Sequence, residues 1–480
     1  MKQRTILAVV ALATLLLVAC DKVEQGSTAV PKEASVVVST NIINLTKKSD
    51  FSNSPLYKML QTGVGAVVSS DVNGKLDMIA KDPSVTGLNL EALAYAFITP
   101  SQHAGLALRV DDESLLEEFV AELAEQAVCT RMKEHDGLKW VRLLDDFDVC
   151  FDDNTLLIFT PLDGNVNHQQ DEQMMLALMN QDYDESFAST SHAQHMTETG
   201  CEDIAVYANM GALPKELVDQ YKQVLPKGAK YSDISLVAGV DFKKGSVSFK
   251  SLCYSENEKV QAMIDEAGSA FQTVSGEFLN KIPRSAKAWM CMGLHGDKAL
   301  EKLKQIPQVK ELLIGANLGM DIDNMIRAID GDVLLFTYQT EMLSDNFYIV
   351  AQLDNTDFLD DVDYWISSAK EYGLTLAPCG EGYKLSGGES SRGDLYWMVN
   401  DKNLYISSMP CDPLTDQGTN AFYDQAKENQ MFALVDLSTA IPIFSSVSLS
   451  STRAGELNVE LKSESIAENI LKLLIRSWNK

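Results

Sequence analysis

Val30-Pro31-Lys32-Glu33-Ala34-Ser35, running into the apolar stretch Val36–Val38, returns later as Ile282-Pro283-Arg284-Ser285-Ala286-Lys287, running into Ala288–Met292. Working outward from this pair, further blocks match in the same order. Gly105–Asp111 answers Tyr348–Asp354, Gly137-Leu138-Lys139 answers Gly382-Tyr383-Lys384, and Asp153–Ile158 answers Asp401–Ile406. Ile234-Ser235-Leu236 then answers Val447-Ser448-Leu449, and Lys250-Ser251 answers Lys462-Ser463. Ordered self-similarity at long period is the mark of a duplicated structural unit. It predicts two tandem repeats, residues 30–280 and 281–480, opened by Pro31 and Pro283.

Local patterning predicts the class of each repeat. Asp111-Asp112 can cap a helix whose apolar face is Leu115, Leu116, Phe119, Val120 and Leu123. Phe358, Leu359, Val362, Trp365 and Ile366 stripe a second helix in the same way, after Asp354. Strand alternation runs through Phe147, Val149 and Phe151, through Leu236, Ala238, Val240 and Phe242, and through Leu457, Val459 and Leu461. Lys243-Lys244-Gly245 and Arg453-Ala454-Gly455 supply glycine hairpin turns. Each repeat closes on an amphipathic stretch, Val260 to Phe271 and Ile466 to Trp478. Hairpins outnumber strand–helix–strand units, so the expected fold is α+β, two tandem, internally repeated modules with antiparallel sheets and packed helices. Asp163 to Gly200 is polar and irregular, and is expected to be a surface excursion.

At 480 residues and 45% hydrophobic, the chain has ample material for more than one core. Forty Lys plus Arg against 68 Asp plus Glu leave nothing to neutralise phosphates, which excludes nucleic acid as a partner. The same balance argues against a basic face held on anionic lipid.

The amino terminus carries an address. Lys2 and Arg4 precede an apolar run from Ile6 to Ala19, too short to span a bilayer and suited to a secretory signal, so 1–19 is expected to be a signal peptide. It ends in Leu17-Val18-Ala19-Cys20, which resembles the bacterial lipobox. That resemblance implies cleavage before Cys20, lipid on its thiol, and acylation of the new amino terminus. Residues 20–29 then form a polar tether to a mature chain of 461 residues with charge −30.

No chemical motif stands out beside this. His192-x-x-His195 with Cys201 lacks the glutamate of a zinc helix. Ser367-x-x-Lys370 lies on the polar side of its helix, where nothing activates a serine. Asp145, Asp146, Asp148, Asp152 and Asp153 have no calcium-loop register, and alternation puts Asp148 and Asp152 on the solvent side. Gly63-Val64-Gly65 lacks the third glycine of a dinucleotide loop. The expectation is therefore no cofactor, no metal and no recognisable catalytic residue. Seven cysteines besides Cys20 make an odd set without C-x-x-C. Most are expected to be buried free thiols, with Cys129–Cys150 the nearest pair for a disulfide.

The lipobox, the tether, the Pro31–Val38 opening and Asp82-Pro83-Ser84-Val85-Thr86-Gly87-Leu88-Asn89-Leu90 together resemble a family of Bacteroidota lipoproteins, domain of unknown function 4836. The second repeat departs from it, with Asp321–Gly331 where the Asp-Pro-Ser segment would fall. The resemblance implies a lipoprotein of the cell envelope, at the outer membrane, and brings no catalytic residues with it. The expected function is a non-catalytic binding or scaffolding protein with an unidentified envelope partner or ligand. The rival is an envelope-anchored hydrolase whose site is assembled from distant residues.

Overall fold

A computed structural model describes residues 25–50, 83–218, 228–317, 320–339, 346–387, 393–410, 422–441 and 443–477. Cys20, Gly63-Val64-Gly65 and Cys411 lie outside the described residues. The chain is α+β, with antiparallel sheets and helices packed on them. By contacts it divides into two units. The first takes Lys230–Cys253 and the residues from Ser463 onward as well as the chain up to Val218, and the second takes Tyr254–Lys462. The closing helix Ile470–Ser477 finds its partner in the first unit, packing on helix Ile42–Ser49, with Lys472 2.8 Å from Asp50.

The first unit contains β1 (Val36–Thr40), β2 (Leu88–Asn89), β3 (Ala94–Ile98), β4 (His103–Val110), β5 (Lys133–His135), β6 (Leu138–Leu143), β7 (Phe147–Phe151), β8 (Thr155–Pro161), β9 (Ile204–Asn209), β10 (Ser235–Lys243) and β11 (Ser246–Tyr254). Their order across the sheet is β10–β9–β1–β3–β4–β8–β7–β6–β5, antiparallel throughout. Gly245, at φ 74°, makes the turn between β10 and β11 that the sequence predicts. On one face lies helix Glu113–Glu125. Asp112 caps it through Oδ1, which accepts the Leu115 N–H at 3.0 Å. Leu116 and Val120 press on Val149 and Phe151. Leu115 departs from the expected apolar face and stands 39% exposed.

In the second unit the strands are β12 (Phe271–Gln272), β13 (Ala288–His295), β14 (Ile329–Thr337), β15 (Phe347–Leu353), β16 (Leu374–Cys379), β17 (Gly382–Gly387), β18 (Leu395–Asn400), β19 (Asn403–Ser407), β20 (Met431–Asp436), β21 (Ser446–Ser451) and β22 (Glu456–Lys462). Their order is β22–β21–β20–β13–β14–β15–β19–β18–β17–β16. Helix Val362–Glu371 buries Val362, Trp365 and Ala369 against Trp397, Leu376 and Leu404. A separate cluster gathers Phe278, Trp289, Phe336, Tyr348 and Phe432.

Two sequence expectations fail for one reason. Every residue of β7 is buried, the supposedly solvent-facing Asp148 included. Within the polar excursion 163–200, helix His168–Met179 covers that side of the strand, and helix Ser191–Glu198 packs on β9 and β10. Alternation reports a half-covered sheet, and here both faces are covered. The stretch assigned to a tether is folded as well from Gln25, as the 3₁₀ turn Gln25–Ala29, with Ala29 and Val30 buried.

The six described cysteines, Cys129, Cys150, Cys201, Cys253, Cys291 and Cys379, are free thiols, so the Cys129–Cys150 bridge does not form. Burial pushes the thiols of Cys150 and Cys291 well above their ordinary range. Alkylating a denatured, unreduced chain that starts at Lys22 should therefore modify at least six thiols, counted by mass; three or fewer would contradict this packing.

Candidate functional site

The chemistry concentrates where helix His168–Met179 crosses β7, β8 and β4. His168 and Asp171 are three residues apart, hence on one face of the helix. His168 Nδ1 lies 2.8 Å from Asp148 Oδ2 on β7, and Arg142 Nε of β6 donates to Asp148 Oδ1 at 3.1 Å. Asp171 Oδ1 lies 3.3 Å from His103 Nε2 at the start of β4. The pairing is reciprocal, since helix imidazole meets sheet carboxylate and helix carboxylate meets sheet imidazole. Asp148 is 4% and Asp171 1% exposed. Met175, one turn on, is fully buried and closes the contact with apolar area.

Burial holds the Asp171 carboxyl above its ordinary range, with His103 opposing and Asp148 reinforcing the shift. Its Oδ2 has no hydrogen-bond partner. The His103 ring stacks on Phe159 at 5.0 Å, and its Nδ1 lies 3.1 Å from Ser101 Oγ in the β3–β4 turn. With the Nε2 proton toward Asp171, Nδ1 accepts the Ser101 hydroxyl. Ser101, His103 and Asp171 are thus in line. The Ser101 hydroxyl is also 2.9 Å from Thr99 Oγ1, which itself accepts the His103 N–H at 3.1 Å.

Past its last turn the same segment grips the start of the folded chain. Gln181 Nε2 donates to Val30 O at 3.1 Å and also to Thr28 O. The Phe187 N–H donates to Val30 O at 2.9 Å, and Lys32 Nζ donates to Asp184 O at 3.0 Å.

In the second unit a cleft of about 480 Å³ opens beside helix Ile322–Arg327. Asn317, Asp321, Asn324, Arg327, Asp361 and Tyr364 line it, and Tyr364 is 70% exposed. Asp321 caps the helix through the Asn324 N–H at 3.1 Å. Asp323, also at the cleft, pairs with Lys304. The lining offers carboxylates, amides, a guanidinium and an aromatic face, the elements that orient a small polar ligand.

The motifs set aside on sequence grounds do not assemble. His192 stacks on Tyr207 at 4.4 Å, while His195 Nδ1 lies 2.9 Å from Glu198. Cys201 makes a weak contact to Thr199 O. Ser367 donates to the Asp363 carbonyl at 3.2 Å. Asp152 closes the β7–β8 turn by accepting from the Asn154 and Thr155 N–H groups. Among the described residues no cluster of three His, Cys, Asp or Glu side chains has metal-binding geometry. Sequence reading misplaces Asp148 and does not bring it together with Arg142 and His168. Arg142 and His168 lie 6 and 20 residues away from it, separations at which a single sequence carries no contact signal.

The fold defines an α+β protein of broad antiparallel sheets. The chain belongs to the family described as Domain of unknown function (DUF4836), matched over residues 27–408. No curated protein matches it. Three crystal forms of TP0453 are similar at 8–10% identity, TM-scores of 0.28–0.29, and coverage of 51% of this chain and 86% of that one.

Asp148→Ala would strand Arg142 and His168. It should cost about 2 kcal/mol in chemical denaturation, below the ~3–5 of a fully buried pair because both partners are about a third exposed. Asp171 is an acid whose native value is raised. Its contribution to stability is full below the unfolded value near ~3.9 and is lost as pH rises through the native one. Asp171→Asn keeps an oxygen for His103 and carries no charge, so its Tm relative to wild type should climb between pH 4 and pH 7.

Proposed function

We propose that the chain is a lipoprotein of the cell envelope, held at the outer membrane by acyl chains on Cys20, that acts as a non-catalytic binding or scaffolding protein built from two copies of one α+β module. The observation that carries the duplication is strand order. Read from β10 to β5 and from β21 to β16, the two sheets give the same succession once β1 is set against β13, β3 against β14 and β4 against β15. The sequence blocks fall on the matched strands: Pro31 and Pro283 precede β1 and β13, Gly137 immediately precedes β6, and Gly382 opens β17. The polar cleft of the second unit gives the binding reading a place for a small ligand. Membrane-bound status rests on the lipobox, and the partner is an envelope protein or ligand.

The rival reading, an envelope-anchored hydrolase, has one observation in its favour, the alignment of Ser101, His103 and Asp171. The binding reading accounts for it as turn chemistry. Thr99 shares the Ser101 hydroxyl, and the imidazole is held under Phe159 as one half of a helix clasp.

Two measurements decide. Cys20→Ala should release the protein from the membrane fraction or leave it on its signal, since two or three acyl chains at about 0.8 kcal/mol per methylene are the anchor. Correctly cleaved Cys20→Ala protein still in the pellet after a high-salt wash refutes the anchor. A fluorophosphonate probe should leave Ser101 unmodified while crosslinking in intact envelopes recovers a defined partner. Labelling that disappears in Ser101→Ala would instead establish the hydrolase.

A further inference from the structure

We infer that the face of the first unit around residues 27–32 and 181–187 lies directly against the bilayer surface, apposed to zwitterionic headgroups that carry an ammonium. The inference rests on the Cys20 anchor just proposed and adds to it how the body is presented. The polar stretch after Cys20 suggests a leash that lets the body float free. The fold shortens that leash.

From Gln25 the chain is committed to the first unit. Its 3₁₀ turn packs on β3, β4 and β8 and against helix His168–Met179. Ser27, Ala29 and Val30 are buried. Gln181, Phe187 and Asp184 bind the backbone or side chains of Thr28, Val30 and Lys32. Only residues 21–24 separate this seat from the acylated cysteine. Five Cα–Cα steps span at most about 18 Å, even fully extended. Gln25 is therefore held within about 18 Å of the headgroups, and its neighbours go with it.

Those neighbours have the character of an interfacial surface. Tyr183 lies between Gln181 and Asp184, both bonded to the amino-terminal stretch, and it is 51% exposed. A half-exposed tyrosine, apolar in body and polar at the tip, suits the headgroup layer. Its hydroxyl donates to the Ala188 carbonyl at 3.1 Å, which fixes the ring. Asp182, Asp184 and Glu185 surround it and are exposed. Those carboxylates are repelled by anionic lipid and attracted by the ammonium of phosphatidylethanolamine. The length of the leash sets the proximity, and the charge selects the lipid.

The test places a photo-crosslinking benzoylphenylalanine at Tyr183 or, as control, at Asp153. Asp153 is exposed in the β7–β8 turn, about 20 Å along β8 from Pro161, the strand partner of His103. Full-length acylated protein is reconstituted in phosphatidylethanolamine/phosphatidylcholine vesicles, and sedimentation and lipid crosslinking are read separately. The expected result is lipid adduct at position 183 at least fivefold above position 153. Inserting 20 Gly/Ser residues between Lys22 and Val23 should abolish that excess without releasing the protein. Replacing phosphatidylethanolamine by phosphatidylglycerol should reduce it. Vesicle-bound protein with equal adduct at both positions, or an excess that survives the insertion, overturns the inference while leaving the anchor standing. An excess indifferent to phosphatidylglycerol overturns the headgroup preference. Protein that does not sediment with vesicles overturns the anchor, and this inference with it.

Discussion

Two carboxylates withdrawn from water on one side of a sheet, Asp148 and Asp171, fix how helix His168–Met179 sits on the first unit. An isolated buried carboxylate costs several kcal/mol after relaxation, so each must have a cation or a donor within reach. Reciprocity meets the requirement economically. One helix brings an imidazole to Asp148 and its own carboxylate to His103, so the helix can sit in one position and one rotation only. That position places Gln181 and Phe187 over Val30 and seats the amino-terminal turn. Remove the clasp, and the cover of β7 and the hold on the start of the chain lose their common support.

The second unit seats helix Val362–Glu371 through aromatic area, where the first seats Glu113–Glu125 through Leu116 and Val120. Trp365 and Trp397 lie 6.0 Å apart, and Tyr383 stacks on Trp397 at 4.7 Å. Phe358 closes the far side of Trp365 at 6.3 Å. Large aromatic area supplies the burial and its stabilisation without a buried carboxylate. Carboxylates respond to proton concentration in both units, Asp171 raised by burial in the first and Asp436 lowered by Lys287 in the second, whereas the stacking of these rings does not.

Much of the architecture was legible because it rests on local signals. The Asp112 cap, the Gly245 and Gly455 turns at φ 74° and 77°, and the Trp365 face are each written within a few residues. The polar excursion was illegible for the opposite reason. Helix His168–Met179 opens His168-Gln169-Gln170-Asp171-Glu172-Gln173 and buries only Asp171 and Met175, so it has no apolar stripe to betray it. Its docking energy comes from charge pairs between residues 20 and 68 positions apart, which one sequence does not announce. The 25–29 turn was hidden likewise. Small polar residues such as Ser27 and Thr28 look like linker, but the Thr28 and Val30 carbonyls are bonded by Gln181, some 150 residues downstream.

The same seating changes how the charge of the molecule acts. A mature chain of net charge −30 on a long leash would be pushed away from any anionic surface as a whole. Under the proposed Cys20 anchor, the first unit is held within a few residues of the acyl chains instead. Screening limits interaction to charges within about 8 Å at physiological ionic strength. Under that proposal the charges beside the seat of the amino-terminal turn weigh on the choice of lipid, the carboxylates of Asp182, Asp184 and Glu185 outnumbering the ammonium of Lys32. Acidic surface farther than a screening length from that seat favours solubility and keeps neighbouring bodies apart. Net charge and short-range charge therefore have separate consequences here, and the fold of residues 25–32 divides them.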